Sequence, residues 1–199
     1  MELNIVYIGR LSFPLGQATT KRRRYMVDYM NDENIECHIL STRYKKNKQL
    51  NNPSEGKYGK ADFYDLSGLF KKGRIFRYYK EGKRKIRQWY DSSKKNIMIF
   101  PTILNVEDYI FFRYAYNLGY KIVFDQVETS YIADGTNESF KRKCYIFFCE
   151  WISDYAYKKA AGSFVISQAL KSQNKEKYPK MPLCLLPNST PVLCEVEKT

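Results

Sequence analysis

Six short apolar runs punctuate the chain, and between most of them the apolar positions change to helical spacing. Leu3-Asn4-Ile5-Val6-Tyr7-Ile8-Gly9 is rich in β-branched residues and closes on glycine, the pattern of a strand buried on both faces. Runs over 35–40, 96–100, 121–125, 162–167 and 183–186 read the same way, the last stopped by Pro187. Helical patterns fall between them. Thr19 or Thr20 caps a segment to about Asn31 with Tyr25, Met26 and Tyr29 on one face. Over 74–90, Ile75, Tyr78, Tyr79, Ile86, Trp89 and Tyr90 share a face that is interrupted at Gly82. Further helices are predicted over 106–118, ending at Gly119, over 139–160, and over 168–175. Residues 43–73 are polar, basic and glycine-bearing, with Asn51-Asn52-Pro53-Ser54-Glu55-Gly56 as the plainest breaker, and predict a long loop or an excursion with little regular structure.

Buried strands alternating with helices are βαβ units, and their crossovers are right-handed. The expected fold is therefore α/β: a Rossmann-like, mostly parallel sheet with helices on both faces. Ligands of such sheets bind outside the carboxyl ends of the strands, where the strand order reverses. Four places meet that condition: 14–18, 101–104, 125–131 and 187–191.

Composition changes this picture in two respects. With 199 residues, the chain is long enough to build its own core, so stability makes no demand on its five cysteines, which include no C-x-x-C pair, or on the single histidine, His38. A zinc module or disulfide scaffold is not expected, no residue spacing calls for a metal or cofactor, and His38, inside the second run, reads as structural. No basic leader precedes an apolar stretch at the N-terminus, and no run is long enough to cross a bilayer, so a cytosolic protein is expected. The charge is the stronger signal. The net charge is +13, and residues 43–95 alone carry 17 basic and 5 acidic side chains. Charge confined to one segment points to an anionic neighbour, whether phosphate, nucleic acid or acidic lipid.

The segment Phe13-Pro14-Leu15-Gly16-Gln17-Ala18-Thr19-Thr20 puts small residues where backbone can approach a ligand at a helix N-terminus. It serves equally as a tight strand-to-helix turn, and it is neither G-x-G-x-x-G nor a P-loop. Asp125-Gln126-Val127-Glu128 follows the fourth strand. Gly162-Ser163-Phe164-Val165-Ile166-Ser167-Gln168-Ala169-Leu170 leads on to Leu185-Leu186-Pro187-Asn188-Ser189. In this order the motifs resemble the N-terminal half of a family 4 glycosyltransferase of the GT-B type, over nearly the whole chain. Two features depart from that pattern: Ser189 stands where the family usually has glycine, and the sequence ends at Thr199, about where a second Rossmann-like domain would begin.

The resemblance implies a division into an acceptor-side domain over 1–187 and a hinge with the start of a missing C-terminal domain over 188–199. It implies that Gly16, Gln17 and Ala18 face the interdomain cleft with Thr102, Gln126 and Asn188, and that Glu128 and Asp125 are its catalytic carboxylates, orienting an acceptor hydroxyl or stabilising positive charge on an oxocarbenium-like centre. Capping of the following turn is the alternative for those two carboxylates. Pro101 and Thr102 stand where some members carry a cleft histidine. The implied partners are a nucleotide-sugar donor, held through the missing domain, and a sugar or lipid-linked acceptor. Lys21, Arg22, Arg23 and Arg24 open the first helix, where cations oppose the dipole; they either meet an anion nearby or are solvated.

Two classes of function remain open on this reading. One is a glycosyltransferase domain at the inner, cytoplasmic face of a membrane. The other is a nucleic-acid- or polyanion-binding Rossmann-like module without catalysis, suggested by charge interleaved with tyrosines but disfavoured by the lack of any nucleic-acid-binding signature. Membrane contact is expected at Arg74, Arg77, Lys83, Arg84, Lys85, Arg87 and Trp89, where cations flank rings at helical spacing. Packing of those rings into the core is the competing expectation.

Overall fold

The computed structural model describes residues 2–16, 18–43, 52–69, 75–101, 105–127 and 139–187. In chain order the elements are β1 (Leu3–Gly9), α1 (Ala18–Asp32), β2 (Glu36–Ser41), β3 (Glu55–Tyr58), β4 (Ala61–Asp65), α2 (Ile75–Gln88), β5 (Lys95–Pro101), α3 (Val106–Leu118), β6 (Lys121–Gln126), α4 (Phe140–Tyr157), β7 (Gly162–Val165), α5 (Gln168–Lys177) and β8 (Leu183–Leu185). The strands form one sheet of order β3-β4-β2-β1-β5-β6-β7-β8, parallel throughout except for the antiparallel edge strand β3. The expected Rossmann-like α/β architecture is therefore the one adopted.

One expectation is corrected here. The segment predicted as a long loop contains the β3–β4 hairpin, and β4 pairs in parallel with β2, His38 opposite Asp62 and Ser41 opposite Asp65. Alternation in β4 buries Ala61 and Phe63, so the hairpin is held by packing although β3 is short and polar.

Two apolar layers sandwich the sheet. In β1, Ile5 and Tyr7 join Val27 of α1, Ile39 and Phe63 on one face. Val6 and Ile8 turn to the other face, which Tyr78 and Ile86 of α2, Phe111 and Phe112 of α3, and Ile152 and Ala156 of α4 cover. Gly82 explains the gap in the α2 pattern, because a Cβ there would overlap the Phe111 ring and touch Leu66. Local signals set the ends of α3: the Asn105 side chain accepts from the Asp108 amide, and Gly119 takes φ 105° while its N–H reaches the Tyr116 carbonyl. His38 is buried and stacks on Trp89, ring centroids 4.8 Å apart, and burial lowers its pKa against the opposing pull of Glu36 and Asp62.

Candidate functional site

The strand order reverses between β1 and β5, so the crevice expected of a doubly wound sheet opens at the carboxyl ends of those two strands. Side chains fix the loop leaving β1. Ser41 Oγ donates to the Leu11 carbonyl at 2.6 Å, and Asn52 both accepts from the Leu15 amide and donates to the Leu15 carbonyl. Thr20 Oγ1 donates to the Ser12 carbonyl at 2.6 Å, and a Cβ on Gly16 would overlap that hydroxyl. The glycine is thus required by an approach within the chain itself. Ala18, at the first position of α1, is exposed.

Across the edge, Asp125 is fully buried near the end of β6, on the face covered by α1. Arg22 binds it through Nη2 at 3.0 Å and Nε at 3.4 Å, and Arg23 Nη1 binds its other side. Arg23 also lies 4.7 Å over the Tyr7 ring. Burial pushes the Asp125 carboxyl upward, but the two guanidiniums outweigh it and hold the pKa below the ordinary 3.8. Arg22 reaches further, to the carbonyls of Leu186 at 3.3 Å and Pro187 at 3.2 Å. One side chain therefore ties the N-terminal half of α1, the end of β6 and the segment leaving β8.

This arrangement resolves the basic run in α1. The anion that Arg22 and Arg23 meet is the chain's own carboxylate, while Arg24 hydrogen-bonds the Tyr58 hydroxyl at 3.0 Å. It also corrects the reading of Asp125 as a carboxylate in contact with substrate, since its oxygens are sealed between two cations. Gln126 is corrected in the same way: it is buried, and its amide oxygen accepts from Asn174 of α5. Glu128, Gln17, Thr102 and Asn188 lie outside the described residues.

A second polar cluster at this edge was missed from the sequence. Arg10, just after β1, is exposed and reaches Glu107 in the first turn of α3 at 3.5 Å, across the switch point. Behind that pair Asp108 is buried, accepting from Thr42 Oγ1 at 2.9 Å and from Asn105. Burial pushes the Asp108 pKa up to about 6, against the lowering effects of Arg10 and Thr42. The Asn105-x-x-Asp108 spacing is a helix-start signal visible in the sequence, whereas nothing there pairs Asp108 with Thr42. Among the described residues, no group of three His, Cys, Asp or Glu is placed to hold a metal ion.

The basic helix α2 divides differently from expectation. Tyr78, Ile86 and Trp89 belong to the core, so the Trp89 ring cannot sit among lipid headgroups. Arg84 pairs with Glu81 at 2.8 Å, Lys85 lies 4.4 Å over the Tyr64 ring, and Lys83 lies 5.6 Å over that of Tyr114. Arg77 and Arg87 are exposed, and Arg74 lies outside the described residues.

No family model and no curated relative matches the chain's sequence. Among solved structures it is similar to an α,α-trehalose-phosphate synthase (UDP-forming) from Burkholderia vietnamiensis, with 8% identity and a TM-score of 0.46, over 89% of this chain and 42% of that one. It is also similar to an α,α-trehalose 6-phosphate synthase from Burkholderia multivorans, with 9% identity and a TM-score of 0.44, over 89% of this chain and 43% of the other. The chain thus spans less than half the length of either enzyme.

Proposed function

We propose that this chain is the acceptor-side half of a GT-B glycosyltransferase, which passes a sugar from a nucleotide-sugar donor to a lipid-linked or polysaccharide acceptor at the inner face of a membrane. The observation that carries the reading is the Arg22 junction. The loop after β1, the end of β6 and the exit from β8 are the three places where the motif order resembles that family, and Arg22 holds the helix following that loop to the other two. A domain that must present one rigid edge to a second domain needs its exit segment fixed to that edge.

In this reading the donor contacts belong to a following domain. Arg10 and the exposed Ala18 at the start of α1 face the acceptor, Glu128 supplies the cleft carboxylate, and Asp125 acts as a positioning residue through Arg22 and Arg23. The nucleic-acid-binding alternative loses one support, because Tyr78 and Tyr79 of α2 and the following Trp89, which would stack on bases, pack against the core. Calorimetric titration of residues 1–199 with a panel of nucleotide sugars tests the division of labour. Binding weaker than micromolar is expected; micromolar or tighter binding would contradict it.

A further inference from the structure

We propose that the outward face of α4 is the surface by which this protein lies on an acidic lipid bilayer. The helix is apolar on two opposite sides. Cys149, Ile152, Ala156 and Tyr157 point into the core. At 3.6 residues per turn, Phe140, Phe147, Phe148, Trp151 and Tyr155 fall together on the opposite side. They stand in solvent: Phe140 is 81% exposed, Phe147 72% and Trp151 59%, and Phe148 stacks on Trp151 at 5.9 Å. Rings of this size each carry roughly 150–250 Å². At 41–81% exposure the five together still present several hundred Å², at or above the roughly 300–600 Å² of the largest apolar patch on a typical monomer. A helix that is apolar all round is normally covered on both sides.

The charges around the stripe decide what covers it. Lys141, Arg142 and Lys143 are all exposed in the first turn, which contains no acidic residue. At the other end Lys158 and Lys159 are exposed, with Lys159 5.1 Å over the Tyr155 ring and 5.4 Å over that of Tyr116 on α3. Of the two carboxylates on the helix, Asp154 is engaged by Lys158 at 2.8 Å and Lys177 at 3.4 Å, and Glu150 is exposed on the flank that Lys143 also occupies, so cations outnumber carboxylates around the stripe. The core of a protein interface is depleted in lysine, whereas aromatic rings flanked by lysine and arginine are what a helix lying in an anionic headgroup layer requires.

The orientation is equally specific. β6 ends at the carboxyl edge, so α4 runs back from that edge and its basic, aromatic beginning lies on the side of the crevice. Tyr145 and Cys149 of α4 feel the charges of Arg10 and Glu107 at the switch point. Contact through α4 therefore brings the crevice beside the headgroups. Its use in presenting a lipid-linked acceptor rests on the proposed function; the contact itself does not.

Flotation with vesicles of phosphatidylcholine containing about 30% phosphatidylglycerol tests the contact. The parent protein should float at low salt, bind pure phosphatidylcholine vesicles more weakly, and show a blue shift in Trp151 emission, Trp89 being already buried. Phe147→Ser/Phe148→Ser/Trp151→Ser and, separately, Lys141→Gln/Arg142→Gln/Lys143→Gln should each weaken binding to the acidic vesicles about tenfold or more with an unchanged circular dichroism melt. Arg84→Gln/Arg87→Gln on α2 should bind as the parent does. A parent that fails to float, α4 variants that float like the parent, or a lipid-free dimer that only the serine variant dissolves would each overturn the proposal. None of these outcomes bears on nucleotide-sugar binding, so the contact and the proposed reaction fail separately.

Discussion

Asp125 shows how one residue inherits its role from partners more than a hundred positions away. Arg22 and Arg23 are both buried against it and both pair with its carboxylate. Removing one partner of a buried pair leaves the other charge uncompensated, so Asp125→Asn should cost roughly 3–5 kcal/mol in urea unfolding. A loss below about 1 kcal/mol would show that the guanidiniums are neutralised in another way. The pH dependence has a definite sign. Because the folded pKa lies below the unfolded value of 3.8, the contribution is fully present above pH 3.8 and is lost as pH falls through the folded pKa. The parent should therefore lose more stability on acidification from pH 5 to pH 3 than Asp125→Asn does. The sequence showed an acidic residue at the end of a strand and a basic run opening a helix, but the pairing depends on how α1 crosses the sheet, which no local pattern encodes.

Among the elements, those with an apolar run or a clear cap were legible. β1, β2, β5 and β6 followed from β-branched runs, and α3 from Asn105 and Gly119. The β3–β4 hairpin was not, because Glu55-Gly56-Lys57-Tyr58 carries no apolar signal and its strand exists only through pairing with β4. Periodicity identified α2 and α4 as helices but did not distinguish a ring facing the core from one facing solvent. Tyr78 and Tyr79 of α2 went inward while Phe76 stayed exposed, and several of the rings on α4 went outward. Gly82 tests the account at this scale. Gly82→Ala would ordinarily favour a helix, yet here the methyl group meets Phe111, so the variant should be destabilised by about 1–3 kcal/mol in thermal unfolding. Neutral or raised stability would mean that α2 and α3 are not packed as described.

At the scale of the whole molecule, the carboxyl edge of the sheet was legible and the packing of its side chains only partly so. A parallel sheet places the segments after β1, β5, β6 and β8 at one end whatever their chemistry, which located Gly16, Ala18 and the end of β6 correctly. Which side chains remain accessible there is a matter of packing: Asp125 and Gln126 are internal, and Arg10 is presented instead. The central claim is that this edge receives a glycan acceptor. Its most direct test is an amide-resolved NMR titration of residues 1–199 with lipid-free oligosaccharides and lipid-linked sugar analogues. The account predicts saturable shifts at the amides of Arg10, Gly16 and Ala18, with those of Gly59 and Gly119 at the opposite end of the sheet unmoved. Shifts confined to that opposite end, or no shifts with any glycan, would contradict it.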